Sequence, residues 1–311
     1  MVKNENIAII GSGLMGYGIA IVFSRAGHRV NLVDVDEANL QNAIKKIKEN
    51  LQTIAASGIK LEDSVDEILS RVKTCTDMES ACEKSDFVFE CVFEDIKLKQ
   101  SLFQKLDAIC DSDTILCSNT SVISITEIAS TAKKKERILG THWWNPPYLI
   151  PLVEVIRTKD TSDACMKKCY DLLTRVGKKP VFVHRDVPGF VGNRMQHALW
   201  REAFAIIDEG ICDAETVDIC VKSGFGMRLP VLGPVENADM VGLDLTLSVH
   251  NYLLKYLSTS PAPSDILKQN VSLNKLGFKT GEGFQKWDQD KIEKSRKNLA
   301  GYLLKALAEK D

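Results

Sequence analysis

The chain has 311 residues, a formal net charge of −2 and 44% hydrophobic content, enough for two domains that each bury a core. That balance gives no electrostatic case for nucleic acid or an anionic membrane surface, and the apolar runs stop well short of a membrane span. Nine cysteines, an odd number without a Cys-x-x-Cys pair, read as thiols in a reducing cytoplasm, and Cys165 and Cys169 share helical spacing without the further ligands a metal needs.

MVKNEN runs straight into the first predicted strand, so no signal peptide is expected. Ile7–Ile10 is a short apolar run, as in a parallel strand buried on both faces. It enters a Gly-x-Gly-x-x-Gly turn, GSGLMG, with Leu14 and Met15 between Gly13 and Gly16. Gly11 allows the tight turn, Gly13 lets backbone approach a pyrophosphate, and Gly16 lets helix pack on strand. The next segment, a helix, directs free N–H groups at the phosphates. A second strand ends at Asp34, whose carboxylate suits the ribose hydroxyls of NAD and would repel the extra phosphate of NADP. Strand, turn, helix and acid together make the motif specific for a dinucleotide, and NAD is the expected cofactor.

Residues 38–72 read as a helical hairpin projecting from the sheet, broken near Ser57–Gly58. Further strands are expected at Asp86–Cys91, Thr114–Cys117, Ile138–Thr141, Leu152–Ile156 and Pro180–His184. Their alternation with helical patterns predicts an α/β fold, a Rossmann-type doubly wound sheet over residues 1–185. Asp186–Gly189 marks a boundary, and residues 186–311 read as a mostly α-helical second domain. Its helices are expected near Phe190–Glu209, Ala214–Lys222 and Glu236–Tyr256, with apolar faces that could serve self-association.

Of five histidines, His142 stands out because it ends the strand ILGTH before the rigid turn WWNPP, where strand ends open onto the ligand crevice. Glu154, in LVEVI, is a carboxylate in an apolar strand and needs a partner. The two could form an acid–base unit, or a purely structural pair. Ser121 in CSNTS and Asn193 before a helical pattern could bind substrate, but both sit where helix caps are common. No nucleophile-and-base spacing supports a Ser-His-Asp hydrolase.

At this point the chain resembles the short, single-function NAD-dependent L-3-hydroxyacyl-CoA dehydrogenases. The motifs are GSGLMG at 11–16, FEDIKLK at 93–99, SNTS at 118–121, HWWNPP at 142–147, LVEVI at 152–156, PGFVGNR at 188–194 and GFKTGEGF at 277–284. The resemblance implies His142 as general base, Glu154 orienting it, and Ser121 and Asn193 holding the reacting oxygen. It also implies cofactor contacts at Asp34, Glu94 and Lys99, to which Asn119 of SNTS is added. Asn145 of HWWNPP joins the substrate residues. A homodimer formed by the helical domain is expected.

The match departs from the family in three places. Trp143–Trp144 replace the usual Phe-Phe, and Pro147 extends Asn-Pro. NLQTIAASG at 50–58 lacks the lysines thought to meet CoA phosphates, although lysines 45, 46, 48 and 60 flank it. Arg228, in GFGMRLPVLGP, stands where a neutral segment is usual. The last two resemble the gulonate dehydrogenase or lambda-crystallin branch, which acts on small free hydroxy acids. Arg228 could grip a carboxylate by paired hydrogen bonds, or form a surface salt bridge. SNTS and the GFKTGEGF tail pull back toward the acyl-CoA branch, so the reading favours a CoA ester, with a free hydroxy carboxylate as the alternative and a non-catalytic NAD-binding sensor or structural protein as another class.

Overall fold

A computed structural model describes residues 4–308. The described residues divide into two compact units, 4–193 with 299–308 and 194–298.

The first unit is built on an eight-stranded sheet in the order β3-β2-β1-β4-β5-β6-β7-β8. These strands are β1 (Asn6–Ile10), β2 (Arg29–Val33), β3 (Val72–Cys75), β4 (Phe87–Glu90), β5 (Ile115–Ser118), β6 (Ile138–Trp143), β7 (Leu152–Ile156) and β8 (Lys179–Val183). Every neighbouring pair is parallel except β6 and β7, which run antiparallel. The flanking helices are α1 (Leu14–Arg25), α2 (Glu37–Ala56), α3 (Val65–Ser70), α4 (Met78–Cys82), α5 (Ile96–Ile109), α6 (Ile125–Ile128) and α7 (Asp163–Arg175).

The period-2 alternation of the strands sorts their side chains into two cores. Ile7, Ile9, Phe87, Phe89, Ile115 and Cys117 pack on one face with α1, α2 and α7. Ala8, Ile10, Val88 and Leu116 pack on the other with α5 and α6. Each fully buried aliphatic or aromatic side chain here contributes about 1.5–3 kcal/mol.

Residues 38–72 hold two helices with the break at Ser57–Gly58, where the sequence pattern puts it. α2 is capped by Asp36, and Leu40, Ala43, Ile47, Leu51 and Ile54 bury a stripe along it in the core. The six-residue α3 comes next and leads into β3, a strand that the sequence pattern does not announce because only Val72 of its four residues is buried.

The second unit is helical. Helix α8 (Gly192–Asp208) leads into it, succeeded by α9 (Ala214–Ser223), α10 (Pro234–Val241), α11 (Leu243–Leu253) and α12 (Asp265–Ser272). The single helix expected over 236–256 is two, because Gly242 at φ +102° ends α10. The last helix, α13, spans Gln289–Ala308. Among the described residues no helix is long and apolar enough to cross a membrane.

Candidate active site

Two features of the sheet set the site. The first is the turn between β1 and α1. Gly11 has φ +97°, and a Cβ there would lie 2.6 Å from the Cys91 carbonyl oxygen. A Cβ on Gly16 would lie 1.8 Å from Gly11 O, whereas one on Gly13 would meet nothing within 4 Å. The backbone is thus folded as tightly as it can be behind an open face at Gly13. Helix α1 starts there with no side-chain cap and no acid in its first turn, so its N–H groups and positive dipole end suit a diphosphate.

Asp34, at the end of β2, lies beside this turn. Its Oδ2 accepts from Ser12 N at 2.9 Å and Ser12 Oγ at 2.7 Å, and its Oδ1 from Asn39 Nδ2 at 3.1 Å. Partial burial would raise its pKa, but these bonds and the Asp36 N–H hold it below the ordinary value. The donor set fits an NAD ribose held by an ionised carboxylate.

The second feature is the antiparallel β6–β7 pair. His142 and Glu154 are direct cross-strand partners in that register, so their side chains leave the sheet on the same face. His142 Nδ1 lies 2.7 Å from Glu154 Oε2, and both groups are almost fully buried. The other carboxylate oxygen accepts from Val191 N at 2.8 Å and Gly192 N at 3.0 Å. Burial pushes the Glu154 carboxyl up, but the His142 bond and the two amides outweigh it and keep the pKa below normal. An ionised Glu154 only accepts, so Nδ1 carries the proton and the Nε2 lone pair is free for other work. The alternation of β6 also separates the two tryptophans. Trp143 turns into the core against Phe23 and Phe89, while Trp144 lies 5.2 Å from the His142 ring and Phe190 lies 5.6 Å from it.

The other residues singled out from the sequence fall around these two features. Ser121 is exposed in the loop after β5, and its carbonyl accepts from Asn193 Nδ2 at 3.0 Å. Asn119 Oδ1 accepts the Trp143 N–H at 3.1 Å, tying that loop to the end of β6. Asn145 is exposed, next to a cis peptide bond to Pro146. Glu94 accepts the Thr120 hydroxyl and the amides of Ser121 at 3.0 Å and Val122 at 3.3 Å. Its pKa is lowered: burial raises it, and Thr120, Lys99 and Ser121 more than offset this. Lys99 is enclosed, 1% exposed, with its ammonium 2.6 Å from Glu90 and 3.2 Å from Glu94. It therefore sits between these two carboxylates with almost no contact with solvent. Arg228, in the second unit, is exposed, and its guanidinium pairs with no described residue. Among the described residues no cluster of His, Cys, Asp or Glu could hold a metal.

Sequence reasoning missed Ser12, Glu90 and Ser118. Glu90 is fully buried in β4 and accepts from Lys99, from Ser118 Oγ at 2.6 Å and from Val92 N at 2.9 Å. The signal was available, because an acid in the apolar run DFVFEC raises the same question as Glu154 in LVEVI.

Known proteins match the chain over most of its length. The family model for the 3-hydroxyacyl-CoA dehydrogenase NAD-binding domain matches residues 6–187, and that for the C-terminal domain of the same family matches residues 189–287. The chain is 38% identical to the human mitochondrial hydroxyacyl-coenzyme A dehydrogenase over 290 residues, 91% of each chain. It is 37% identical over 279 residues to a 5-formyl-3-hydroxy-2-methylpyridine 4-carboxylate 5-dehydrogenase from Mesorhizobium japonicum, covering 90% of this chain and 89% of that one. A solved structure of an NAD-dependent enzyme of that second name superposes with a TM-score of 0.91 at 34% identity, over 98% of this chain and 97% of the other. The cofactor is NAD, and the chain belongs to the family of NAD-dependent 3-hydroxyacyl-CoA dehydrogenases, enzymes that act on CH–OH groups.

Proposed function

We propose that the chain interconverts an L-3-hydroxyacyl-CoA and its 3-keto form with His142 as the general base. The observation that carries this reading is the buried His142–Glu154 pair, in which Nε2 has no hydrogen-bond partner among the described residues. In the oxidative direction Nε2 takes the hydroxyl proton, and Glu154 stabilises the imidazolium that results. NAD, when bound, accepts the hydride from the carbinol carbon. Ser121 and Asn193, joined by the Ser121 carbonyl, place and polarise the reacting oxygen. Gly11, Gly13, Leu14, Met15 and Gly16 form the diphosphate cradle, and Asp34 takes the ribose. Asn119, Glu94 and Lys99 shape the cofactor side of the loop, and Asn145 faces substrate. General-base action of this kind is worth about 10² to 10⁴ in rate.

The NAD domain in this reading is residues 1–185, and residues 186–311 serve substrate binding and self-association as a homodimer. Exposed apolar side chains on α10 and α11, among them Val235, Met240, Leu243 and Leu247, support the latter. Fatty acid metabolism in the cytoplasm is the setting that fits a CoA substrate and nine free thiols.

A second reading has its own support. The relative with the TM-score of 0.91 is named for a free pyridine carboxylate, and residues 50–58 carry no base to meet CoA phosphates. In this reading the substrate is a small free hydroxy carboxylate anchored by Arg228. The test is NADH oxidation with acetoacetyl-CoA beside a panel of free 3-keto acids, on wild type and Arg228→Met. Turnover of the CoA ester, unchanged in Arg228→Met, supports the first reading. Turnover of free acids alone, with KM raised at least tenfold in Arg228→Met, replaces it with the second. NADH binding without turnover of either would leave a sensor as the better account.

A further inference from the structure

Lys178 lies in the turn before β8 and is 8% exposed. Its ammonium donates to the carbonyl of Pro147 and to that of Ile150 at 3.0 Å, and it lies 5.4 Å from the centroid of the Trp143 ring. Among the described residues no carboxylate pairs with it. A buried cation without a counter-charge is costly, so the groups that do receive it are informative. All three belong to residues 143–150, at the end of β6 and in the connection to β7. Those are the two strands that carry His142 and Glu154. The same connection is also held by its own backbone, with the Leu149 and Ile150 amides on the Pro146 carbonyl at 3.0 Å and Lys179 N on the Pro151 carbonyl at 2.9 Å, but Lys178 is the side chain that spans it from Trp143 to Ile150. The Tyr148 hydroxyl donates to Asn50 Oδ1 at 2.7 Å, and the Trp143 N–H is held by Asn119.

We propose that Lys178 is a positioning residue for the reaction: through Pro147, Ile150 and Trp143 it fixes the turn that keeps His142 set against Glu154. This inference rests on the reading of that pair as the acid–base unit. Lys178 touches neither of the pair and acts through the backbone between them.

The position is also sensitive to pH. Burial, reinforced by the nearby charge of Arg25, pulls the Lys178 ammonium down from its ordinary value to about 7. Arg25 from α1 is the charged group that acts on it. Lys60 and Glu62, from the segment before α3, and Tyr148, whose hydroxyl burial pushes up to about 12, line with Arg25 and Lys178 a cavity of about 200 Å³. Loss of the proton leaves a weaker donor and removes the attraction to the indole face. The clamp is therefore tightest on the acid side of neutrality and slackens as pH rises.

The test uses the full chain as wild type, Lys178→Met and Lys178→Gln, with hydrogen exchange of residues 144–153 measured beside steady-state kinetics from pH 6 to 8.5. Lys178→Met is expected to raise exchange in that segment at least tenfold at pH 6 while β1 and β4 stay protected. It should lower kcat at least tenfold, with KM and NADH affinity within twofold of wild type. Lys178→Gln, which donates without titrating, should recover part of both. Wild-type protection, corrected for intrinsic exchange, should fall across this range while that of Lys178→Gln stays flat. Wild-type exchange in Lys178→Met, or a lowered kcat with the turn unchanged, overturns the proposal. If Lys178→Met does not fold, an identical pH response in wild type and Lys178→Gln overturns it instead. Exchange needs no substrate, so it decides the clamp even where wild-type turnover in His142→Gln has removed the catalytic reading.

Discussion

Replacing Glu154 by glutamine changes one oxygen to an amide and tests the acid–base unit from its less obvious side. The carboxylate now accepts from His142 Nδ1 at 2.7 Å and from the amides of Val191 and Gly192 at 2.8 and 3.0 Å. In Glu154→Gln the amide oxygen can keep the two backbone bonds, which turns the NH₂ group toward His142. Nδ1 must then accept, the ring proton moves to Nε2, and the base is blocked. The variant also loses a charge that stabilises the imidazolium. For charges about 4 Å apart at an effective dielectric of about 20, that attraction is about 4 kcal/mol. It corresponds to roughly three decades of rate. Reversing the tautomer in the same way in a Ser-His-Asp triad costs about 10⁴, a similar scale. The assay is kcat in the oxidative direction with NADH affinity measured in parallel. The variant should lose about 10³ in kcat with NADH affinity within twofold. A kcat within threefold of wild type would refute the reasoning, since no group besides Glu154 is assigned to set the tautomer.

Asp34→Ala should weaken NADH about tenfold or more, by loss of charge-assisted bonds worth about 1.5–3 kcal/mol, and narrow the preference over NADPH. Isothermal titration with both cofactors checks this. Gly16→Ala puts a methyl 1.8 Å from Gly11 O, so the turn must open. NADH binding should be lost and thermal unfolding should come earlier by at least the equivalent of about 1–3 kcal/mol. Asp107 bonds Arg137 at 2.9 Å and the Lys133 and Lys134 amides, and these outweigh burial and hold its pKa below normal. Because its folded pKa is depressed, its stabilisation is present above the unfolded pKa and is lost as pH falls through the folded one. Asp107→Asn should cost about 1.5–3 kcal/mol at pH 7, with the deficit closing below about pH 4 in urea titrations.

Much of the first unit was legible because buried parallel strands are apolar on both faces. Seven of the eight strands stand out as runs, and β3 does not, since an edge strand with one buried residue has no pattern to read. The antiparallel turn of β6 on β7 was not written in the sequence, yet it is the register that joins His142 to Glu154. Their identities were visible as a histidine at a strand end and an acid in an apolar run, but their contact depends on pairing twelve residues apart. The Val191 and Gly192 amides left no trace at all, because backbone donors carry no residue-type signature. Lys178 was equally hidden, as GKKP reads like any polar turn. The break at Gly242 was the opposite case, a visible glycine whose positive φ divides α10 from α11.

The most direct test of the central claim is turnover by wild type and His142→Gln, each with NADH affinity measured by fluorescence. The substrates are acetoacetyl-CoA and the panel of free 3-keto acids. The account predicts NADH oxidation by wild type with at least one of them, a loss of about 10² to 10⁴ in His142→Gln, and unchanged NADH affinity. Wild-type turnover in His142→Gln would contradict it.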